Sequence, residues 1–215
     1  VINNRSLEHY FFASPVVEEL SKAIESNALG GRALFTGCVI HQFSEGHLGP
    51  LAIWSKTPLV ASSYAHNIWK YTHIIPDEFL SRDDSGIKEF FDLTNAGVIL
   101  AHESYWIKYL RAHPEEYTFV AKYAPFALYR RNNFVSNYFQ EGSGKLVSQE
   151  SNKITIEPSS SEVVIKFRYF PFLKSSLCQI SEFPVTKDLS LIRLSQCPLN
   201  QKVEIESINP LKRVL

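Results

Sequence analysis

The sequence has no methionine, few cysteines, no excess charge and no long apolar run. Methionine is absent from all 215 residues and the chain begins at Val1; with no signal core visible, this predicts an excised or processed part of a longer protein. Lys plus Arg and Asp plus Glu each number 22, so we expect no nucleic-acid partner. No apolar run approaches the roughly 20 residues that cross a bilayer, and the chain is expected to be soluble.

The three cysteines, Cys38, Cys178 and Cys197, have no Cys-x-x-Cys pair and no zinc-ligand spacing. A structural zinc site is therefore not expected. Cys178 and Cys197 fall in consecutive predicted strands, and two interpretations stay open: a disulfide formed in an oxidising compartment, or two buried thiols. Cys38 lies inside a strand-like run and is predicted to belong to the core.

Several catalytic signatures are also missing from the sequence. It contains no Gly-x-Ser-x-Gly motif, no phosphate-binding glycine-rich loop and no dinucleotide fingerprint, which are the usual marks of hydrolases, kinases and dehydrogenases. No catalytic residue, metal or cofactor is assigned. Hydrophobic residues make up 45% and charged residues 20%, a composition typical of a folded globular chain rather than a disordered one.

Helical and strand patterns alternate in the first two thirds of the chain. Ser14 and Pro15 precede apolar positions at helical spacing over residues 16–24, which predicts a capped helix. A buried strand over residues 32–40 follows. Further predicted elements are strand 58–63, helix 84–93, strand 97–101, helix 104–112 and strands 117–123 and 126–131. This alternation predicts an α/β layer domain over residues 1–133.

From about Asn132 onward, β-branched alternation replaces helical spacing. Residues 140–145 read as a turn or flexible connection. Strands are predicted at residues 153–156, 163–169, 177–180, 189–194 and 202–206. Their spacing is typical of a small antiparallel β-sandwich over residues 134–215, so the fold class as a whole is mixed, α+β or α/β, with an α/β layer first and a sandwich second.

A polar cluster follows the first predicted strand and contains His41, Glu45 and His47. Loops after the carboxyl ends of strands are where ligands usually bind in α/β sheets. Two imidazoles and a carboxylate can hold a metal or share a proton, although the spacing is not that of a known metal motif. The plainer interpretation is a solvated polar loop.

A second cluster, with Tyr64, His66, Asn67 and Trp69, directly follows the strand over residues 58–63. Aromatic faces stack on sugar rings while Asn and His bond hydroxyls, so the composition suits a carbohydrate. The alternative is that the aromatic side chains pack between layers.

His102 and Glu103 follow a third predicted strand, over residues 97–101. If the three strands end at one edge, the three polar segments form a cleft, and Glu103 joins the candidate substrate-binding residues. Glu103 is equally well placed to cap the next helix, where a carboxylate favours the positive end of the helix dipole.

Four segments together resemble the soluble extracytoplasmic region that follows the membrane helices of multi-pass bacterial proteins similar to GT-C glycosyltransferases. They are a strand with a glycine, a small and apolar segment ending in Tyr64, a Gly-Val strand, and a closing β segment: residues 33–37, 49–64, 95–101 and 163–174. The resemblance runs over most of the chain and rests on small, apolar and aromatic residues.

The resemblance implies an extracytoplasmic domain, periplasmic or on the cell surface, held at the membrane by other parts of the parent chain. Its implied partners are a lipid-linked sugar or glycan and the membrane helices of the parent. Such proteins transfer sugars with an acidic residue between membrane helices, so the isolated chain is expected to be inactive. The Trp-Trp-Asp motif of the oligosaccharyltransferase branch is missing, which speaks against peptide glycosylation.

Two other hypotheses remain from the sequence. The first is a non-catalytic carbohydrate-binding or protein-interaction module, which would bind without turnover. The second is a free-standing enzyme with His41, Glu45, His47 and Glu103 in a cleft, which would be active as the isolated chain.

Overall fold

Helices and strands alternate up to residue 131, and strands follow one another from residue 139. The computed structural model describes residues 15–39, 42–43, 46–47, 51–63, 74–150 and 152–207. The chain divides into unit 1, Val1–Ser136, and unit 2, Asn137–Leu215. Mixed α and β content, with more strands than helices, confirms the coarse fold class.

Unit 1 contains five described helices and seven described strands. The helices are α1 (Pro15–Asn27), α2 (Leu51–Trp54), α3 (Asp77–Leu80), α4 (Asp83–Leu93) and α5 (Ser104–Ala112). The strands are β1 (Arg32–Val39), β2 (Gln42–Phe43), β3 (Gly46–His47), β4 (Leu59–Ser63), β5 (Ala96–Ala101), β6 (Tyr117–Tyr123) and β7 (Phe126–Arg131).

Helix α1 forms where the sequence spacing predicts it. Val17, Leu20 and Ile24 are fully buried, because their three- and four-residue spacing puts them on one face of the helix. Leu29 and Gly30 then adopt positive φ angles of 51° and 78°, a left-handed conformation that ends helices and turns the chain. Strand β1 begins directly after this turn, at Arg32.

The sheet of unit 1 has the strand order β4-β1-β5-β7-β6. β1 pairs in parallel with both β4 and β5, whereas β7 pairs antiparallel with β5 and β6. The chain therefore moves from β1 to a neighbour on one side and returns to a neighbour on the other. The β4-β1-β5 side of the sheet is parallel, and an antiparallel hairpin, β7 and β6, forms its other side.

All six residues of β5 are buried, as expected for a strand covered on both faces. Val98 and Leu100 share a core with α1 and α2, and Ile99 points to the opposite face because side chains alternate along a strand. Phe91 of α4 packs against Trp106 of α5 and Tyr117 of β6. Burial on both faces is the reason why this strand reads as a continuous apolar run.

Unit 2 consists of eight strands in its described residues. They are β8 (Phe139–Glu141), β9 (Gly144–Gln149), β10 (Lys153–Pro158), β11 (Val163–Arg168), β12 (Leu173–Ser175), β13 (Gln179–Pro184), β14 (Ser190–Ser195) and β15 (Val203–Ser207). Two four-stranded sheets have the orders β12-β15-β10-β9 and β13-β14-β11-β8. One core combines Ile156, Val203 and Ile205 of the first sheet with Ile165 and Ile192 of the second.

The connection expected over residues 140–145 is shorter than predicted. β8 continues to Glu141, and β9 already begins at Gly144. Only Gly142, at a φ of +71°, and Ser143 connect the two strands, which belong to different sheets. β9 was missed because its side chains are exposed or half-buried and carry little apolar alternation; β12 was missed because it has only three residues.

Cys178 and Cys197 form a disulfide, with a Cα–Cα distance of 4.7 Å. The interpretation as two free thiols is therefore wrong, and so is the placement of both cysteines inside strands. β13 begins at Gln179 and pairs there with Ser195, the last residue of β14. The cysteines lie just beyond this end of the ladder, where the antiparallel pairing brings them together.

Candidate functional site

The carboxyl ends of β4, β1 and β5 lie at the same edge of the unit 1 sheet, because the three strands are parallel neighbours. The connection after β1 leads to β4, and the connection after β4 leads back across to β5. This reversal makes a topological switch point, where open α/β sheets bind ligands. The three polar segments singled out in the sequence follow β1, β4 and β5 along the chain.

Six of the eight candidate substrate-binding residues fall outside the described residues: His41, Glu45, Tyr64, His66, Asn67 and Trp69. His47 is described through its backbone alone, in β3, where it pairs with Gln42 of β2. Glu103 is described with its side chain. The edge of the sheet is thus defined by its strands and by the residues that follow β5.

Glu103 occupies the position that precedes the first turn of α5, with an extended backbone (φ −75°, ψ 139°). This is the expected cap position, yet its carboxylate makes no capping hydrogen bond. One carboxylate oxygen instead lies 3.9 Å from Nε2 of His102, and the Glu103 side chain is 35% exposed. The carboxylate is therefore accessible at the strand edge.

His102 also lies at this edge, although it was not among the candidate substrate-binding residues chosen from the sequence. Its side chain is 12% exposed, and its ring packs edge-on against Phe126 with a centroid distance of 5.5 Å. Its Nδ1 is buried and has no hydrogen-bond partner among the described residues. Burial lowers the pKa of His102, and the smaller effect of Glu103 acts in the opposite direction. The lowered pKa favours the neutral imidazole, whose buried Nδ1 has no hydrogen-bond partner among the described residues.

A separate polar cluster joins α4, α5 and β6. His113 lies between two acceptors, with Nδ1 at 2.9 Å from the Tyr109 carbonyl oxygen and Nε2 at 3.2 Å from Asp84. The Tyr109 hydroxyl makes no hydrogen bond of standard geometry with the described residues, yet its contact is the largest cause that lowers the pKa of Asp84. Lys88 bridges Asp84 and Glu116. His113 and Glu116, which lie between α5 and β6, are thereby tied to Asp84 and Lys88 of α4, which indicates a structural role.

A cavity of about 360 Å³ lies in unit 2. Ile192 and Ile205, from opposite sheets, are almost fully buried and form part of its wall. Phe170 and Phe172 line its mouth and are 41% and 44% exposed. The sequence analysis did not find this cavity, because its walls come from residues spread between 149 and 207.

Within the described part of the chain, no three His, Cys, Asp or Glu side chains are grouped so that they can hold a metal ion. None of the described helices has the length and apolarity needed to cross a membrane. Comparison with protein-family models, with curated proteins and with solved structures finds no match to this chain.

Proposed function

We propose that the chain is the extracytoplasmic domain of a membrane-embedded glycosyltransferase-like protein, built as an α/β layer followed by a β-sandwich. In this proposal it helps to bind a lipid-linked sugar donor or a glycan acceptor at the strand edge of unit 1. The observation that carries the proposal is the parallel β4-β1-β5 arrangement, which gathers the polar ends of three strands at one switch point. Catalysis belongs to the membrane part of the parent protein.

The chemistry at this edge suits a sugar. The accessible carboxylate of Glu103 offers an acceptor for hydroxyl groups. Tyr64, His66, Asn67 and Trp69 follow β4 directly in the sequence, and this composition combines aromatic faces with polar groups. His41, Glu45 and His47 follow β1 in the same way.

The disulfide between Cys178 and Cys197 supports the proposed location. Structural disulfides persist in oxidising compartments such as the periplasm and the cell surface, and they are rare in the reducing cytosol. The bond therefore favours an extracytoplasmic domain over a cytosolic one.

Binding of cellotriose, chitotriose and maltotriose to the isotope-labelled full chain, followed through the backbone amide signals of unit 1, tests the sugar site. We expect millimolar binding that weakens roughly tenfold in Trp69→Ala, as expected when one stacking ring is lost. The matched control is Phe119→Ala. Phe119 is an exposed aromatic residue on β6, and β6 and β4 are the two opposite edge strands of the sheet. Equal weakening in both variants, or no binding by the unsubstituted chain, would overturn the site.

The membrane link has its own test in the gene product that contains this chain. We expect several apolar spans of about 20 residues with an acidic residue in a loop between them. A parent protein without such spans would contradict the transferase interpretation, whereas the sugar-binding function would still be consistent with it.

A second candidate function, a non-catalytic carbohydrate-binding module, is favoured by the cavity of unit 2. It predicts sugar binding by unit 2 in a parent protein that transfers no sugar.

A further inference from the structure

The cavity of unit 2 has the size and the mixed lining of a ligand site. Its volume of about 360 Å³ falls within the range of about 300–1,000 Å³ found for small-molecule pockets. Ile192 and Ile205 provide apolar wall deep between the sheets. Polar side chains surround the opening, among them Gln149, Asn152 and Arg168. An apolar interior with a few polar groups at the rim orients a ligand that is itself part apolar and part polar.

Two phenylalanines give the cavity an aromatic mouth. The rings of Phe170 and Phe172 are nearly parallel, with an interplanar angle of 16° and a centroid distance of 5.5 Å. Both side chains keep more than a third of their surface exposed, although exposed aromatic surface is unfavourable in water. The Arg168 guanidinium lies 5.8 Å from the Phe170 centroid and donates to the Asp188 carbonyl oxygen at 3.1 Å. This guanidinium contact holds the first ring in place beside the cavity.

Charge at the opening is balanced. Lys153 and Arg168 are cationic, and Glu150 is anionic. Glu204 lies 3.3 Å from the Lys153 ammonium, and it is the largest cause of the raised pKa of that lysine. The Lys153 ammonium is thus paired with a carboxylate outside the lining, and Arg168 and Glu150 contribute one charge of each sign, so the opening favours a neutral ligand with many hydrogen-bonding groups.

We propose that this cavity binds a neutral glycan segment of one or two sugar rings. The apolar face of a sugar ring packs against Phe170 and Phe172, and its hydroxyl groups bond with the amides of Gln149 and Asn152. This inference rests on the second candidate function and names its site and ligand. The site lies in a different unit from the strand edge of unit 1 and does not depend on that edge. Its function is to hold a glycan, whichever protein carries out the chemistry.

The test uses the full chain with isotope labelling and the same three neutral trisaccharides, cellotriose, chitotriose and maltotriose. We expect at least one to bind in the millimolar range and to shift backbone amide signals at the cavity opening. The double variant Phe170→Ala/Phe172→Ala is expected to weaken this binding by tenfold or more, since both stacking rings are lost. Trp69→Ala is expected to leave the unit 2 shifts unchanged, so that failure of one site is distinguishable from failure of the other.

Leu199→Ala is the matched control. Leu199 is 54% exposed, and its neighbour Asn200 donates to the carbonyl oxygen of Pro158. This places the control at the opposite end of β10 from Lys153. Both Phe170 and Phe172 are exposed, so their truncation is expected to leave the thermal unfolding midpoint near that of the unsubstituted chain, which calorimetry checks before binding is compared.

Three outcomes overturn the proposal. The first is no shift at the opening with any of the neutral trisaccharides, and the second is equal weakening by the control. The third is binding of trigalacturonic acid alone, which would mean a site for anions. Sedimentation with vesicles of phosphatidylethanolamine and phosphatidylglycerol separates a membrane contact: vesicle binding that is lost in the double variant, without glycan binding, would assign the two phenylalanines to a lipid surface instead.

Discussion

The disulfide of unit 2 is expected to stabilise this unit by an amount that follows from the length of the loop it closes. Cys178 and Cys197 are 19 residues apart, and the bond closes this loop in the unfolded state. Loop-closure entropy for such a length corresponds to about 3 kcal/mol at 25 °C. Reduction is therefore expected to lower the free energy of unfolding of unit 2 by about 3 kcal/mol. For a domain of roughly 80 residues this corresponds to a fall in Tm of about 12 to 24 °C.

The measurement compares oxidised and reduced protein of one sequence, which keeps every sulfur atom in place. Urea unfolding is followed by circular dichroism with and without a phosphine reductant, in a Cys38→Ala background that removes the third thiol. Thiol titration of the denatured protein is expected to find no free thiol before reduction and two after it.

Two results would refute the reasoning. Two free thiols before reduction would show that the bond does not form. The second result is a bond that is present before reduction, but whose reduction lowers the free energy of unfolding by less than about 1 kcal/mol. The unfolded chain would then already keep these cysteines close, which removes the entropic gain.

Gly97→Ala is expected to destabilise unit 1 by about 2–4 kcal/mol in urea unfolding, because an added Cβ meets the carbonyl oxygen of Ala28; a loss below 0.5 kcal/mol would contradict this close approach. Burial raises the pKa of Tyr117 to about 12, above about 10 in the unfolded chain. The folded state therefore retains the Tyr117 proton to a higher pH than the unfolded state does. The contribution of this proton to the free energy of unfolding is fully present below about pH 10 and is lost as the pH rises towards 12. Tyr117→Phe is expected to lose less stability than the unsubstituted chain across that range, and an unchanged slope would count against the shift. Ile205→Ala, at a side chain 1% exposed, is expected to cost about 2–5 kcal/mol, whereas Val147→Ala at an exposed site of the same sheet is expected to stay within about 0.5 kcal/mol; similar losses would contradict the assigned core.

Local patterns predicted most of the secondary structure. Helix α5 spans Ser104–Ala112, the range expected from its apolar spacing and from Pro114 beyond its end. Strands β6 and β7 also match their predicted ranges. These elements are specified by side chains within a few residues of one another, so their periodicity is readable along the chain. β9 and β12 were missed because an exposed or very short strand has no such period.

The candidate site was predicted less completely than the elements. The sequence placed polar segments after three strands, but it did not establish that β1 pairs with both β4 and β5. Glu103 occupies the cap position of α5, one of the two roles predicted for it, although its carboxylate makes no capping hydrogen bond. The His102 ring is largely buried and packs edge-on against Phe126 from another strand. No local pattern in the sequence indicates this contact.

The sequence by itself determined the order of helices and strands, the change of character after about residue 132 and the positions of the polar segments, because these depend on composition and short-range period. Tertiary structure alone decided the disulfide, the shared strand edge and the cavity of unit 2. Cys178 meets Cys197 through the pairing of β13 with β14, and the cavity joins residues from 149 to 207. Such features arise from contacts between residues far apart along the chain, and side-chain period carries no information about which distant strands will pair.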